Sequence, residues 1–193
     1  LGDHASTEKL CLAALENSES VIISNILGVV LHYRGDYDQA IKAFERGIKF
    51  QPDYADSWGN MARTFEAQGR YEDGVNASRK AIDLNPETAS AYNNLAANLR
   101  ALGRGREAIE ALEKALELSP RLAEAHNNLG NTLADLGDLI RALESYENAI
   151  LLSPDLHIAI SNLLFTSAQI SDISPENNLI RAKNYGEVVA KRV

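Results

Sequence analysis

Four asparagines stand 34 residues apart along the chain: Asn60, Asn94, Asn128 and Asn162. A carboxamide offers one acceptor oxygen and two donor protons, which suits hydrogen bonding to a peptide backbone of any sequence. On successive helices in normal contact such residues would form a ladder with rungs ~10 Å apart, close to three residues of extended chain. Asparagine is also a mediocre helix former, several tenths of a kcal/mol worse than alanine. Asn93, Asn127 and Asn131 are expected to widen the polar strip, and Arg63, Arg100, Asp56, Glu66, Glu124 and Asp135 to border it. A solvated charged face accounts equally well for any one of these charges. Covalent or metal chemistry finds less support. His4, His32, His126 and His157 are scattered without metal-ligand spacing. Cys11 is the single cysteine, and nothing places a base beside it or beside a serine. The segment reads as a binding surface without a cofactor, not as an enzyme.

The elements that would position this ladder repeat with the same period. Prolines fall at Pro52, Pro86, Pro120 and Pro154, and glycines at Gly35, Gly69, Gly103 and Gly137. Coincident periods of this length indicate one copied supersecondary unit. In register the units are Val21–Tyr54, Ala55–Thr88, Ala89–Leu122 and Ala123–Leu156. In the third, Tyr92, Leu95, Leu99 and Leu102 recur at helical spacing, as do Ala108, Ile109, Leu112, Leu116 and Leu118. Gly103 between the two runs tolerates a left-handed turn, and Pro120 stops the second helix. Each unit therefore predicts a hairpin of two helices. Small residues recur where the two would cross: Gly28, Ala62, Ala96 and Gly130 at the eighth position, Ala40, Gly74, Ala108 and Ala142 at the twentieth, and Gly47, Ala81, Ala115 and Ala149 at the twenty-seventh. Small side chains there allow close backbone approach.

This pattern resembles the tetratricopeptide repeat, a 34-residue helical hairpin with a W-x-x-L-G-x-x-Y and A-x-x-x-F-x-x-A signature before a terminal proline. The second unit reads Trp58, Met61, Ala62, Phe65, Gly74, Ser78, Ala81, Pro86, and the fourth His126, Leu129, Gly130, Leu133, Ala142, Tyr146, Ala149, Pro154. The resemblance implies an all-α fold, a right-handed superhelical solenoid of antiparallel helix pairs. Its first helices would line a concave groove for a protein or an extended peptide. Asparagine at the ladder position is also frequent in such repeats generally. A groove that grips chaperone C-terminal carboxylates would need lysines and an arginine among Asn25, Val29, Asn60, Ser90 and Asn94, and has none.

The net charge of −8 argues against a nucleic-acid footprint, which needs a basic stripe. No run approaches the ~18 apolar residues of a membrane span, and no secretory leader is recognisable at the start. A chain opening on Leu1 is expected to be a trimmed or processed piece. One cysteine excludes an internal disulfide and is compatible with a cytoplasmic location; Cys11 is expected to be a small buried residue. Residues 1–20 read as the second helix of a partial repeat, burying Leu10, Ala13, Ala14 and Leu15, or as a capping helix of independent origin. Exposed solenoid ends would favour self-association.

Beyond the repeats, 157–193 reads as a half-repeat followed by a divergent helix. Ile160, Leu163, Leu164 and Ser167 occupy first-helix slots. Ser174-Pro175-Glu176 then predicts a new helix start, running to about Lys191. The pair Ser161-Asn162-Leu163-Leu164-Phe165-Thr166 and Asp172-Ile173-Ser174-Pro175-Glu176 is similar to the junction where repeats pass into the catalytic region of SPINDLY-type, protein O-GlcNAc transferase-like glycosyltransferases. Tyr185 matches one aromatic of that junction, and Ala168-Gln169-Ile170 departs from it. This resemblance implies a substrate-holding repeat region with no catalytic residue of its own. The alternative is a stand-alone scaffold or adaptor.

Overall fold

The computed structural model describes residues 4–17 and 19–170. These residues form ten helices and no strand, grouped in two compact units that divide between Leu102 and Gly103. The first unit holds α1 (His4–Asn17), α2 (Val21–Arg34), α3 (Tyr37–Phe50), α4 (Ala55–Ala67), α5 (Tyr71–Leu84) and α6 (Ala89–Ala101). The second holds α7 (Gly105–Leu118), α8 (Ala123–Asp135), α9 (Leu139–Leu152) and α10 (His157–Ser167). Within each unit every helix packs on the next in sequence, and α2 also meets α4, α4 meets α6, and α8 meets α10. The expected all-α architecture of stacked helical hairpins is present.

Two kinds of turn make the stack. Where α2 passes into α3, Gly35 takes φ 87°, and the amides of Gly35 and Asp36 return to the carbonyls of His32 and Leu31 at 2.9 Å each. Gly69 with Arg70, and Gly137 with Asp138, close the same loop onto Phe65 and Leu133. This is the glycine-capped helix end in which an apolar residue near the terminus is buried beneath the turn. Second helices end differently. The amides of Gln51, Asn85, Ser119 and Ser153 return to Gly47, Ala81, Ala115 and Ala149. Gln51 and Asn85, each just before a proline, adopt the extended backbone that proline imposes on its predecessor.

The aromatic slot at the fourth position of a unit has a polar duty. The Trp58 indole N–H donates to the Pro52 carbonyl at 3.0 Å. His126 Nε2 makes the same 3.0 Å bond to Pro120. A carbonyl only accepts, so His126 carries its proton on Nε2. Histidine at this position thus supplies the same donor as the Trp58 indole.

In the first unit the core gathers Leu27, Leu31, Phe44, Met61 and Phe65; in the second, Leu133, Tyr146, Ile150 and Leu163. Small residues sit at the crossings as expected, with Ala40, Ala62, Ala96, Ala115 and Ala149 fully buried. A methyl group on Gly28 would overlap the Phe44 ring, and one on Gly130 the Tyr146 ring. Glycine at the eighth position thus accompanies an aromatic at the twenty-fourth, whereas Ala62 accompanies the small Ser78.

The buried face of α1 differs from expectation. Leu10 is 71% exposed and Ala13 is exposed, while Cys11 and Leu15 enter the core. α1 packs chiefly on α2, with the Arg46 guanidinium of α3 donating to the Leu15 carbonyl at 2.7 Å, and a helix covered mainly from one side buries only a narrow i, i+4 stripe. On α10, Leu163 and Ser167 are buried, with Ile160 and Leu164 half-buried beside them. The helix expected from Ser174 lies outside the described residues.

Candidate protein-binding face

The asparagines at the sixth position are half-buried, and Asn60, Asn94 and Asn162 each bond to the neighbouring first helix. Asn60 Nδ2 donates to Asn25 Oδ1 at 3.1 Å. Asn94 Nδ2 donates to the Gly59 carbonyl at 3.0 Å, and Asn162 Nδ2 to Asn127 Oδ1 at 3.1 Å. Each bond reaches back 35 residues, to the fifth position of the preceding unit. Where that position is glycine and has no side chain, the bond goes to its backbone. Asn162 also donates to Asn131 Oδ1 at 2.9 Å, so both its amide protons are engaged. Asn131 Oδ1 in turn accepts from the Tyr146 hydroxyl at 3.0 Å. Asn127 is buried, and Asn93 and Asn128 are half-buried.

A second polar series, at the tenth position, supports the first. Thr64 Oγ1 donates to the Asn60 carbonyl at 2.9 Å, and Thr132 Oγ1 to that of Asn128 at 2.8 Å. Asn98 Nδ2 takes the same role toward Asn94 at 2.9 Å. Asn98 is fully buried, and its side chain fills the space that a methyl group on Gly74 would need. Sequence reasoning passed over this series, although Thr64, Asn98, Thr132 and Thr166 recur with the repeat period.

The charged border is best formed in the first unit. The Arg63 guanidinium lies over the Tyr33 ring, 5.5 Å from its centre, and its Nε is buried without a hydrogen-bond partner among the described residues. Glu66 and Arg100 are half-buried nearby. Burial lifts the Glu66 carboxyl above its ordinary value, against the opposing pull of Arg100 and Arg63. His32 Nδ1 lies 3.0 Å from Thr64 Oγ1. The single hydroxyl proton of Thr64 goes to Asn60, so Nδ1 must be the protonated nitrogen of His32. Burial first, and the Arg63 charge second, hold His32 below its ordinary value. Asp56, Glu124 and Asp135 are exposed.

Among the described residues no group of three His, Cys, Asp or Glu could hold a metal ion, and no helix is long and apolar enough to cross a membrane.

Stacked hairpins of one period, locked by small residues at each crossing, define a helical-repeat protein. Models of the tetratricopeptide repeat match residues 31–99 and 123–156, and a TPR repeat model matches 98–137; the chain belongs to the tetratricopeptide-repeat family. No curated protein matches it by sequence. Solved structures with the same fold include two crystal structures of MamA. One is 23% identical over 86% of this chain and 96% of that one, with a TM-score of 0.69. The other is 24% identical over 90% and 95%, with a TM-score of 0.70. A MamA RS-1 double mutant is 20% identical over 78% and 85%, with a TM-score of 0.67. Likeness at this identity is a likeness of fold.

Proposed function

We propose that the chain is a scaffold whose first helices hold a segment of a partner protein, with the asparagine rungs as fixed acceptors for its backbone amides. The observation that carries this is the geometry at Asn60 and Asn94. Each anchors its nitrogen on the preceding first helix, which fixes the orientation of the carboxamide and keeps its oxygen available. An acceptor held in place costs little further ordering when a ligand arrives. Arg63, Arg100 and Asn93 complete the proposed face of the first unit, and Asn127, Asn128, Asn131 and Asn162 form the equivalent face of the second. Replacing Asn60, Asn94 and Asn128 together by alanine is expected to weaken capture of many unrelated peptides on an array to a similar degree, with the helical circular-dichroism signal retained. An unchanged array pattern would refute backbone reading. Loss of one peptide class alone would indicate side-chain selection instead.

A second reading makes this face the substrate-holding arm of a SPINDLY-type protein glycosyltransferase. It rests on Ser161–Thr166, which lies on α10 with Phe165 exposed; residues 172–176 lie outside the described residues. Sugar transfer to a captured protein by the product of the complete gene would support it. A gene product without such activity would leave the scaffold.

A further inference from the structure

α2 carries an apolar stripe that its own unit covers only in part: Val29 packs on the core and Tyr33 stacks on His4, while the remainder faces outward. Ile22 is 57%, Ile26 43% and Tyr33 64% exposed, with Val29 half-buried between them. Their spacing is four, three, four, which is the apolar seam of a heptad repeat. It runs for about three turns, ~16 Å along the helix. The opposite face of α2, through Val21, Leu27 and Leu31, already supplies the core. The same slots hold Asp56, Asn60, Arg63 and Ala67 on α4, and Ser90, Asn94, Ala97 and Ala101 on α6. On α10 they hold Ile158, Asn162 and Phe165, with Gln169 just past its end. Apolar side chains at all four positions are thus a feature of α2, while α10 shares two of them.

We infer that this seam docks an amphipathic α-helix of a partner protein, bearing aliphatic residues at heptad spacing and a carboxylate that meets Arg63 beside Tyr33. The inference rests on the reading of the first-helix face as protein-binding and names the ligand for its first unit. The seam spacing selects a helix, because knobs at four, three, four fit the holes of a second helix with the same period. Charge selects the carboxylate. Arg63 forms no ion pair among the described residues, and it lies over the Tyr33 ring that closes the seam. Among the described residues no helix other than α2 itself could supply this partner from a second copy, and pairing of α2 with α2 is the outcome that the self-association arm of the test reads. Among those residues the other large apolar side chains exposed in pairs on one helix are Leu10 with Leu12, Ile140 with Leu151, and Ile158 with Phe165, and none of these pairs extends into a continuous seam of alternating threes and fours.

The test uses the whole chain and a fluorescein-labelled synthetic peptide of three heptads, with leucine at a and d and glutamate at e and g, which disfavours its own pairing. Saturable binding by anisotropy is expected, weakened about tenfold by Ile26→Asn and also by Arg63→Gln. Ile26→Asn installs the residue found at this slot in the other units, so an unchanged melting curve is expected. A matching peptide with lysine for glutamate is expected to bind more weakly. Absence of saturable binding, indifference to Ile26→Asn, or full affinity after a central proline breaks the peptide helix would each overturn the proposal. Concentration-dependent self-association of the chain that Ile26→Asn abolishes would overturn it too, since a second copy would then own the seam. If the heptad peptide fails while the peptide array still responds to the asparagine replacements, the seam falls and the groove reading stands.

Discussion

At the scale of single residues, the hairpins are governed by which side chains share a crossing. Gly28→Ala drives a methyl into the Phe44 ring and is expected to cost ~1–3 kcal/mol, read as a lower urea midpoint. Phe44→Leu in the same chain should recover part of that loss, because a smaller partner makes room. Ala115→Leu, at a fully buried crossing of α7, is expected to overpack to a similar degree. His32 gives a pH signature. Its folded value lies below the ordinary 6.5, so the unfolded chain binds the proton more readily. The stabilisation from neutral His32 is complete above that ordinary value and is lost as pH falls through the lower folded value. Urea midpoints of wild type and His32→Gln, compared between about pH 7.5 and about pH 5, should converge toward the acid end. A constant difference would remove His32 as the source.

At the scale of elements, the turns were the most legible part of the sequence and the rungs the least. Pro52 and Gly69 announce their turns because each imposes or permits a backbone geometry whatever surrounds it. Gly137→Ala should accordingly cost ~1–2 kcal/mol, since φ at this position is 84°, and a thermal melt would show it. Asn60 was legible as a recurring polar residue, but its direction was not, because the half-buried seam between first helices is set by the stacking of two units. The Leu10 face was misread for a related reason. Periodicity says which residues share a stripe, whereas the neighbours present decide which stripe is covered. The inter-helix bond is itself testable by a double-mutant cycle on Asn25 and Asn60. Alanine at either position should cost about 1 kcal/mol, and the double variant less than the sum. Strict additivity would mean that the bond contributes nothing.

At the scale of the whole molecule, stability in a repeat array accumulates from units and their nearest-neighbour interfaces. The bonds from Asn60 to Asn25 and from Asn162 to Asn127 are interface contributions of that kind, and so is His32 with Thr64. Charge is also a property of the whole chain. With a net charge of −8 at pH 7 and a pI near 5.0, solubility is expected to pass through a minimum close to pH 5.0 as self-repulsion vanishes. Turbidity against pH at fixed concentration measures this, and flat turbidity across that range would contradict it.

The pairing of glycine with an aromatic ring also limits how such a gene can be reshuffled. Copied units invite recombination between one another, and most exchanges of equivalent segments would preserve the helices. A crossover between the eighth and twenty-fourth codons is different. Joining the Ala62 helix to the Phe44 helix creates a collision, and joining the Gly130 helix to the Ser78 helix leaves a void. Viable exchanges should therefore break at the proline between hairpins, so that each hairpin is inherited whole.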